Sequence, residues 1–189
     1  MRLDAPFNEE KIRALRVGDL VEISGLVYTG RDSVHKYLYD GNPPPVDLSD
    51  GIIYHCGPVV SGLDTKQYEF VAAGPTTSIR EEPYQAEVMK HFNAKGVIGK
   101  GGMGAKTLKG CQEVPFAYMH AIGGAATYIA QSVTRVLGVH KYDFGVPEAM
   151  WVIEVKDFPV VVTMDAHGQS LHEVVEKESA RVLAELLAK

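Results

Sequence analysis

The sequence has little that would hold a metal ion or a nucleic acid. It contains only two cysteines, far apart in the chain, and two thiolates cannot hold a four-iron cluster. Its seven histidines are scattered, and none forms an H-x-x-x-H pair. Acidic residues outnumber basic ones by 24 to 19, and no basic tract is present. We therefore expect no metal site in this chain and no nucleic-acid partner.

Long apolar segments are also missing. The longest uncharged apolar run, near Ala121–Val133, is too short and too polar to span a bilayer, so we expect no membrane partner. The first residues are mixed with acidic side chains and have no apolar block, so no signal peptide is predicted. Scarce cysteine favours free thiols at Cys56 and Cys111, with one disulfide as the alternative. These features together predict a cytoplasmic protein.

The length and pattern predict an α/β fold. With 189 residues and 46% hydrophobic content, the chain fits one globular domain over residues 1–189, or at most two small ones. Strand patterns are mixed with helix patterns but do not alternate strictly with them. We predict a single α/β domain with a mixed or barrel-like β-sheet and helices packed outside it.

Several elements can be predicted individually. Residues 20–25, 52–60, 96–99 and 115–122 are typical of strands, and residues 149–165 of two strands around a Lys-Asp turn. Helices are predicted at 34–41, from Pro83 to Phe92, at 123–139 and at 170–188. The last is amphipathic, and its apolar members include Val174, Val175, Val182 and Leu186.

The segment Val97–Thr107 resembles two nucleotide signatures at once. Its glycines give G-x-G-x-x-G, and they almost give the phosphate loop G-x-x-x-x-G-K-T, except that Ala105 is one residue too many. The strand before the first glycine is short and lies late in the domain, whereas a dinucleotide fingerprint needs a good strand at the start. The alternative is a tight glycine turn between a strand and a helix.

Three cations point to a different ligand. Arg31, Arg80 and Lys100 each lie beside glycine or small hydroxyl residues, at the end of a predicted strand or in the loop after it. Such loops are where α/β folds build their sites, and small neighbours let a ligand approach closely. Arginine grips a carboxylate with two hydrogen bonds, and lysine adds a point charge. A small anion with more than one charged group fits this set, whereas solvated surface cations are the alternative.

Five segments around these cations resemble one enzyme family in their order and spacing. They are "TGRDSVHK", "YHCGPV", "GPTTSIR", "GVIGKGGMG" and "DFGVPEAMWVIEVKDFPVVVTMDAHGQSL". From about Leu20 to about Leu171 the chain resembles the β subunit, or C-terminal half, of class I fumarases and the related L-tartrate dehydratases.

The resemblance implies a fold, a reaction and a partner. The fold would be the swivelling β/β/α domain of these enzymes, and the reaction would be reversible hydration of fumarate to L-malate. A [4Fe-4S] cluster would be held by three cysteines of the α subunit, so this chain would carry no cofactor itself. Arg31, Arg80 and Lys100 match the family's cations that bind the dicarboxylate substrate, and Thr76 matches its catalytic base.

Some assignments stay open at this stage. The family more often has Gly where Ile79 stands and Met-Asp where Glu81 and Glu82 stand, so the substrate could be L-tartrate or another hydroxy diacid. A non-catalytic anion- or nucleotide-binding module is the alternative from another class. Half of an enzyme should also expose the surface that meets its partner, so the isolated chain could form a homo-oligomer.

Five further residues are weaker candidates. Asp32 and His35 either orient the first of the three cations or belong to a surface helix. Asp165 and His167 either line the site or cap the terminal helix. Cys56 lies beside a Gly-Pro turn near the site, although a buried thiol is the usual role of such a residue.

Overall fold

The computed structural model of the protein describes residues 1–188. Its strands are β1 (Arg2–Asp4), β2 (Leu20–Thr29), β3 (Ile52–Tyr54), β4 (Val59–Ser61), β5 (Glu69–Ala72), β6 (Gly96–Gly99), β7 (Ala117–His120), β8 (Val133–His140) and β9 (Met150–Met164). Its α-helices are α1 (Glu9–Ala14), α2 (Asp32–Tyr39), α3 (Gln85–Phe92), α4 (Ala105–Glu113), α5 (Ala126–Ala130) and α6 (Leu171–Leu187). Single 3-10 turns cover Ser78–Glu81 and Tyr142–Phe144.

Five of the strands close into a barrel. Strands β2, β3, β6 and β7 are parallel neighbours in that order. Strand β9 runs antiparallel and pairs with both β7 and β2, which closes the ring. Strand β1 extends the sheet beside β2 and β8 extends it beside β9, while β4 and β5 form a separate antiparallel pair. The prediction of an α/β domain with a mixed, barrel-like sheet is confirmed.

The strands of the barrel are buried on both faces. In β3, Ile52 and Tyr54 belong to one buried apolar cluster, while Ile53 between them belongs to another. Successive side chains of a strand point to opposite faces, so the first cluster fills the barrel and the second lies outside it. The outer cluster includes Val34 of α2 and Val88 of α3, so these helices pack around the barrel as predicted.

One predicted helix is wrong over most of its length. Residues 123–139 form only the short helix α5, and the chain then continues as β8. The β-branched residues Val133, Thr134, Val136 and Val139 favour a strand, and β8 pairs with β9 in an antiparallel ladder whose register shifts twice. Pairing with a distant strand therefore decides the structure here, and the local helical pattern does not.

The two strands predicted in residues 149–165 are one strand. Strand β9 runs through the Lys-Asp pair without turning back, although Asp157 adopts a left-handed conformation with φ 51°. The register of β9 against β2 shifts at this point, as in a β-bulge. The Asp157 amide donates a hydrogen bond to the Ser24 hydroxyl of β2 at 3.0 Å. This bond supports the bulge, so the strand continues in the barrel on both sides of it.

Two helices differ from their predictions in smaller ways. Helix α3 begins at Gln85 and not at Pro83, after the 3-10 turn that precedes it. Helix α6 forms as predicted, but its apolar members Val174, Val175, Val182 and Leu186 are between 39% and 62% exposed. Across residues 1–188, no helix has both the length and the apolar character needed to cross a membrane.

Candidate functional site

The parallel strands place their following loops at one end of the barrel. Because β2, β3 and β6 run in the same direction, the residues after them meet at a common edge. Arg31 follows β2, His55 follows β3 and Lys100 follows β6. The loop after β7 joins them, since a Cβ atom at Gly123 would lie 3.4 Å from Cδ of Lys100.

The loop that carries Thr76 and Arg80 is tied to this edge by its backbone. The Thr76 amide donates to the carbonyl of His55 at 2.7 Å, and the Lys100 amide donates to the carbonyl of Thr76 at 3.2 Å. The Ser78 amide returns a hydrogen bond to the carbonyl of Lys100 at 3.0 Å. The loop therefore lies alongside Lys100 like a short extra strand, and Thr76 is next to that lysine.

Lys100 is half-buried and forms no ion pair with any residue of the chain from 1 to 188. The chain turns sharply after it, through Gly101 and Gly102 with φ of 82° and 94°. Residues with a side chain rarely adopt this left-handed backbone conformation, which explains why both positions are glycine. The Gly102 amide donates to the Tyr118 hydroxyl at 3.3 Å, which anchors the turn. These glycines therefore shape the turn that follows Lys100.

Arg31 is held by a glutamate that the sequence analysis missed. Its Nε lies 3.1 Å from Oε1 of Glu148, and both side chains are about one-fifth exposed, at 22% and 21%. The second oxygen of Glu148 accepts from the Ser33 amide at 3.1 Å. A Cβ atom at Gly57 would lie 2.7 Å from Nη1 of Arg31, so glycine leaves room for the guanidinium.

Arg80 pairs with the carboxylate of Asp32. Asp32 was expected either to orient Arg31 or to belong to a surface helix. It is the first residue of α2 and binds Arg80, whereas Glu148 binds Arg31. His35 is fully buried and not on a surface face, and its Nδ1 donates to the backbone carbonyl of Arg31 at 3.0 Å. The Asp32–Arg80 pair therefore joins the first loop to the second.

The helix after the glycine loop has no free N-terminus for a phosphate. The Glu82 carboxylate accepts hydrogen bonds there from the Gly104 amide at 2.8 Å, the Thr107 amide at 3.1 Å and the Thr107 hydroxyl at 2.6 Å. A phosphate loop would use these donors for its ligand. Lys106 points away and donates to the carbonyl of Pro83 at 2.6 Å. This geometry disfavours the nucleotide interpretation.

Asp165 and His167 lie away from the cations. Asp165 accepts hydrogen bonds from the amides of His167 at 2.9 Å and Gln169 at 3.1 Å, and from the amide of Val17 at 3.1 Å. Val17 precedes β2 whereas Arg31 follows it, so Asp165 lies at the end of β2 opposite to Arg31. Ser170 caps α6 instead. Asp165 therefore fastens the turn before α6, and neither of the two expected roles is correct.

The two cysteines do not fit a metal cluster. Cys56 and Cys111 are free and fully buried, and burial raises the pKa of both thiols well above the usual range. Metal ligation needs thiolates, which this environment disfavours. The structure from Met1 to Ala188 has no group of three His, Cys, Asp or Glu residues placed to hold a metal ion. Cys56 is therefore a buried free thiol, which is the usual role of such a residue.

A buried polar layer lies beneath the cations. Glu81 is 2% exposed, and burial, reinforced by the charge of Asp32, raises its pKa to about 8. His35 lies 3.7 Å from this carboxyl, and burial lowers the pKa of His35. Both groups are therefore neutral near pH 7, so the net charge at this end of the barrel comes from the three cations and their carboxylate partners.

The three cations and Thr76 lie in loops that meet at one end of the barrel. Arg31, Arg80 and Lys100 come from three separate loops. Thr76 lies in the same loop as Arg80, and its carbonyl accepts a hydrogen bond from the Lys100 amide. Each guanidinium has five N–H donors, so the carboxylate partners leave donors free for a ligand. Guanidinium groups with free donors are suited to carboxylate ligands, which they can bind with two hydrogen bonds.

Comparison with known proteins gives consistent matches. The family model described as fumarase C-terminus matches residues 1–175. A protein of Geobacillus stearothermophilus, provisionally named fumarate hydratase class I, is 56% identical over 183 residues, which are 97% of this chain and 35% of that protein. A provisionally named L(+)-tartrate dehydratase subunit beta of Methanocaldococcus jannaschii is 38% identical, with 95% of this chain and 94% of that protein covered. The L(+)-tartrate dehydratase subunit beta of Escherichia coli K12 is 39% identical, with 89% and 85% covered.

Proposed function

This chain belongs to the fumarase C-terminus family, and we propose that it is the β subunit of a two-subunit hydro-lyase that interconverts fumarate and L-malate. The observation that supports the proposal is that the loops of Arg31, Arg80 and Lys100 lie at one end of the barrel, with the Lys100 amide bonded to Thr76 and Arg80 paired with Asp32. The chain spans about a third of the length of the protein provisionally named fumarate hydratase class I.

In this proposal the three cations bind the two carboxylates of the substrate. Within residues 1–188 Lys100 has no carboxylate partner, whereas Arg31 and Arg80 each have one, so Lys100 is the cation most available to the ligand. Arg31 and Arg80 are pre-oriented by Glu148 and Asp32, which reduces the entropy lost on binding. Each charge-assisted hydrogen bond contributes about 1.5–3 kcal/mol.

The same cations assist the chemistry. Removing a proton next to a carboxylate produces an aci-carboxylate, so the dianion gains further negative charge. Cations already in place stabilise this state more than the ground state, and such differential binding lowers the barrier. We assign the proton transfer to the Thr76 hydroxyl. A threonine is a poor base unless its alkoxide is stabilised, and neighbouring Lys100 with its loop amides is suited to that task.

The proposal includes an α subunit that carries a [4Fe-4S] cluster. Loss of hydroxide needs a Lewis acid, which an open iron of such a cluster supplies when bound. The relatives named subunit beta support a partner chain, and the buried thiols of this chain are unsuited to hold the cluster themselves. We place the complex in the cytoplasm, where free thiols such as Cys56 and Cys111 stay reduced.

The test is activity with and without the partner. The full chain is assayed alone, and after anaerobic assembly with its α subunit, iron and sulfide. The proposal predicts hydration of fumarate by the complex and none by the chain alone. Turnover of fumarate by the chain alone, or a cluster-loaded complex that acts on no dicarboxylate, would overturn it.

L-tartrate is the second candidate substrate, and a specific observation favours it. Relatives that match this chain along most of their own length are named L(+)-tartrate dehydratase subunit beta, one of them provisionally, whereas the protein with 56% identity is much longer. A substrate panel on the assembled complex decides between them. A higher kcat/KM for fumarate and malate supports the first proposal, and a higher value for L-tartrate supports the second.

A further inference from the structure

The segment "YHCGPV" contains a buried histidine to which no role has been assigned above. His55 is fully buried at the end of β3. Its Nδ1 lies 2.9 Å from the Ser78 hydroxyl, and its Nε2 lies 2.8 Å from Oε1 of Gln85. Ser78 belongs to the loop that carries the proposed base and the second arginine, while Gln85 opens α3 behind that loop.

The partners of His55 select one protonation state. The amide oxygen of Gln85 can only accept a hydrogen bond, so the Nε2 of His55 must carry a proton. The Nδ1 of His55 is then the acceptor for the Ser78 hydroxyl in the neutral ring. Burial, together with neighbouring His35, holds the pKa of His55 well below its usual range, which agrees with a neutral ring.

His55 also holds the loop through its backbone. Its carbonyl accepts the amide of Thr76 at 2.7 Å, so side chain and backbone of one residue grip the loop on both sides of Thr77. Gly99 leaves the space for this contact. A Cβ atom there would lie 1.8 Å from the Ser78 Oγ and 3.1 Å from the His55 Nδ1. The contact therefore requires glycine at the end of the neighbouring strand.

We propose that His55 is a positioning residue of the hydro-lyase, whose neutral Nε2–H imidazole holds Ser78 and thereby sets Thr76 against Lys100. Through Ser78, whose amide bonds to the Lys100 carbonyl, the ring fixes the loop that bears the base relative to the loop that bears the lysine. The catalytic part of this inference rests on the proposed function, whereas the geometric part does not.

The geometric part is tested on the full chain by nitrogen-15 NMR. We expect the imidazole shifts of His55 to show the neutral Nε2–H tautomer at pH 7. We also expect Ser78→Ala to speed exchange of the Lys100 amide by about tenfold or more, because its bond to Thr76 opens locally. Asn8→Ala, which removes the side-chain cap of α1, is the control and should leave that amide unchanged. A His55 ring protonated on Nδ1, or unchanged Lys100 exchange in Ser78→Ala, overturns the inference.

The catalytic part is tested on the assembled complex. Ser78→Ala should lower kcat by about tenfold to a hundredfold while KM changes less, since small displacements of a reacting group cost rate more than binding. Asn8→Ala should keep the wild-type kcat. A fully folded Ser78→Ala complex with wild-type kcat overturns the positioning role. If the wild-type complex acts on no dicarboxylate, the proposed function fails, and the tautomer and exchange results still decide whether His55 fixes the loop.

Discussion

The backbone amide of Lys100 donates a hydrogen bond to the carbonyl oxygen of Thr76 at 3.2 Å. This bond joins the loop after β6 to the loop after β5, and it places the lysine and the hydroxyl residue side by side. The two residues come from segments that are separated in sequence by a whole helix and strand. The fold therefore builds the site by pairing loops, so that the position of one functional residue depends on the other.

Gly57→Ala should weaken substrate binding without unfolding the chain. The new methyl group would lie 2.7 Å from Nη1 of Arg31, so the guanidinium would have to move from its place beside Glu148. We expect KM for the dicarboxylate to rise by about tenfold, the equivalent of roughly one lost charged hydrogen bond. Gly138→Ala is the matched control, because the nearest atom to its methyl group would be 4.0 Å away. Equal KM values in the two variants would show that Arg31 does not contact the substrate.

Glu82→Ala should destabilise the fold by about 2–3 kcal/mol. The change removes three hydrogen bonds to the N-terminus of α4 and leaves the amides of Gly104 and Thr107 without their acceptor. Urea unfolding measures the loss. Glu113→Ala at the other end of α4 is the control, since its exposed contact with Lys109 contributes about 0–1 kcal/mol. Similar losses in both variants, or stabilisation of the wild type by ATP and not by malate, would speak against this role of Glu82.

Glu81→Gln should change how stability depends on pH. The pKa of Glu81 is raised from an ordinary value of 4.5 to about 8, so between these values the folded chain holds a proton that the unfolded chain has lost. Its contribution to stability is full below pH 4.5 and falls as the pH rises towards 8, at up to about 1.4 kcal/mol per pH unit. The groups that face it, His35, Asp32, Arg80 and Glu148, stay unchanged in the variant.

We therefore expect Glu81→Gln to equal the wild type in free energy of unfolding near pH 4.5 and to exceed it increasingly up to pH 8. Urea unfolding at several pH values gives this comparison directly. A constant difference between the two proteins across this range would mean that Glu81 is ionised in the folded chain and that the carboxyl is not neutral near pH 7.

The sequence predicted the type of fold and the cationic edge, because both depend on local patterns. Arg31 and Lys100 directly follow strands, and parallel strands bring such positions together. The sequence failed where distant pairing decides. Residues 123–139 were predicted as one helix, but the β-branched segment from Val133 pairs with β9 as β8, and Asp157 looks like a turn but is a bulge that β2 supports.

The residues that support the site were harder to predict than the cations. Glu148, Glu82 and His55 act on loops that are remote in sequence, and nothing in their local neighbourhood indicates which partner they bind. Two weak signals were present. Gly57 and Gly99 both stand where a side chain would collide with a functional contact, so conspicuous glycines near strand ends pointed to close approaches.

The central claim is that Lys100, and not the lysine of the apparent phosphate loop, serves a dicarboxylate site completed by a partner subunit. The most direct test measures fumarate hydration by complexes assembled from the α subunit with wild-type chain, Lys100→Met or Lys106→Met. Lys106 lies in α4, where it donates to the carbonyl of Pro83 and approaches the ring of Tyr39, which makes it the matched control. The account predicts near wild-type turnover for Lys106→Met and a loss of at least about a hundredfold for Lys100→Met. Wild-type turnover by a folded, cluster-loaded Lys100→Met complex would contradict it.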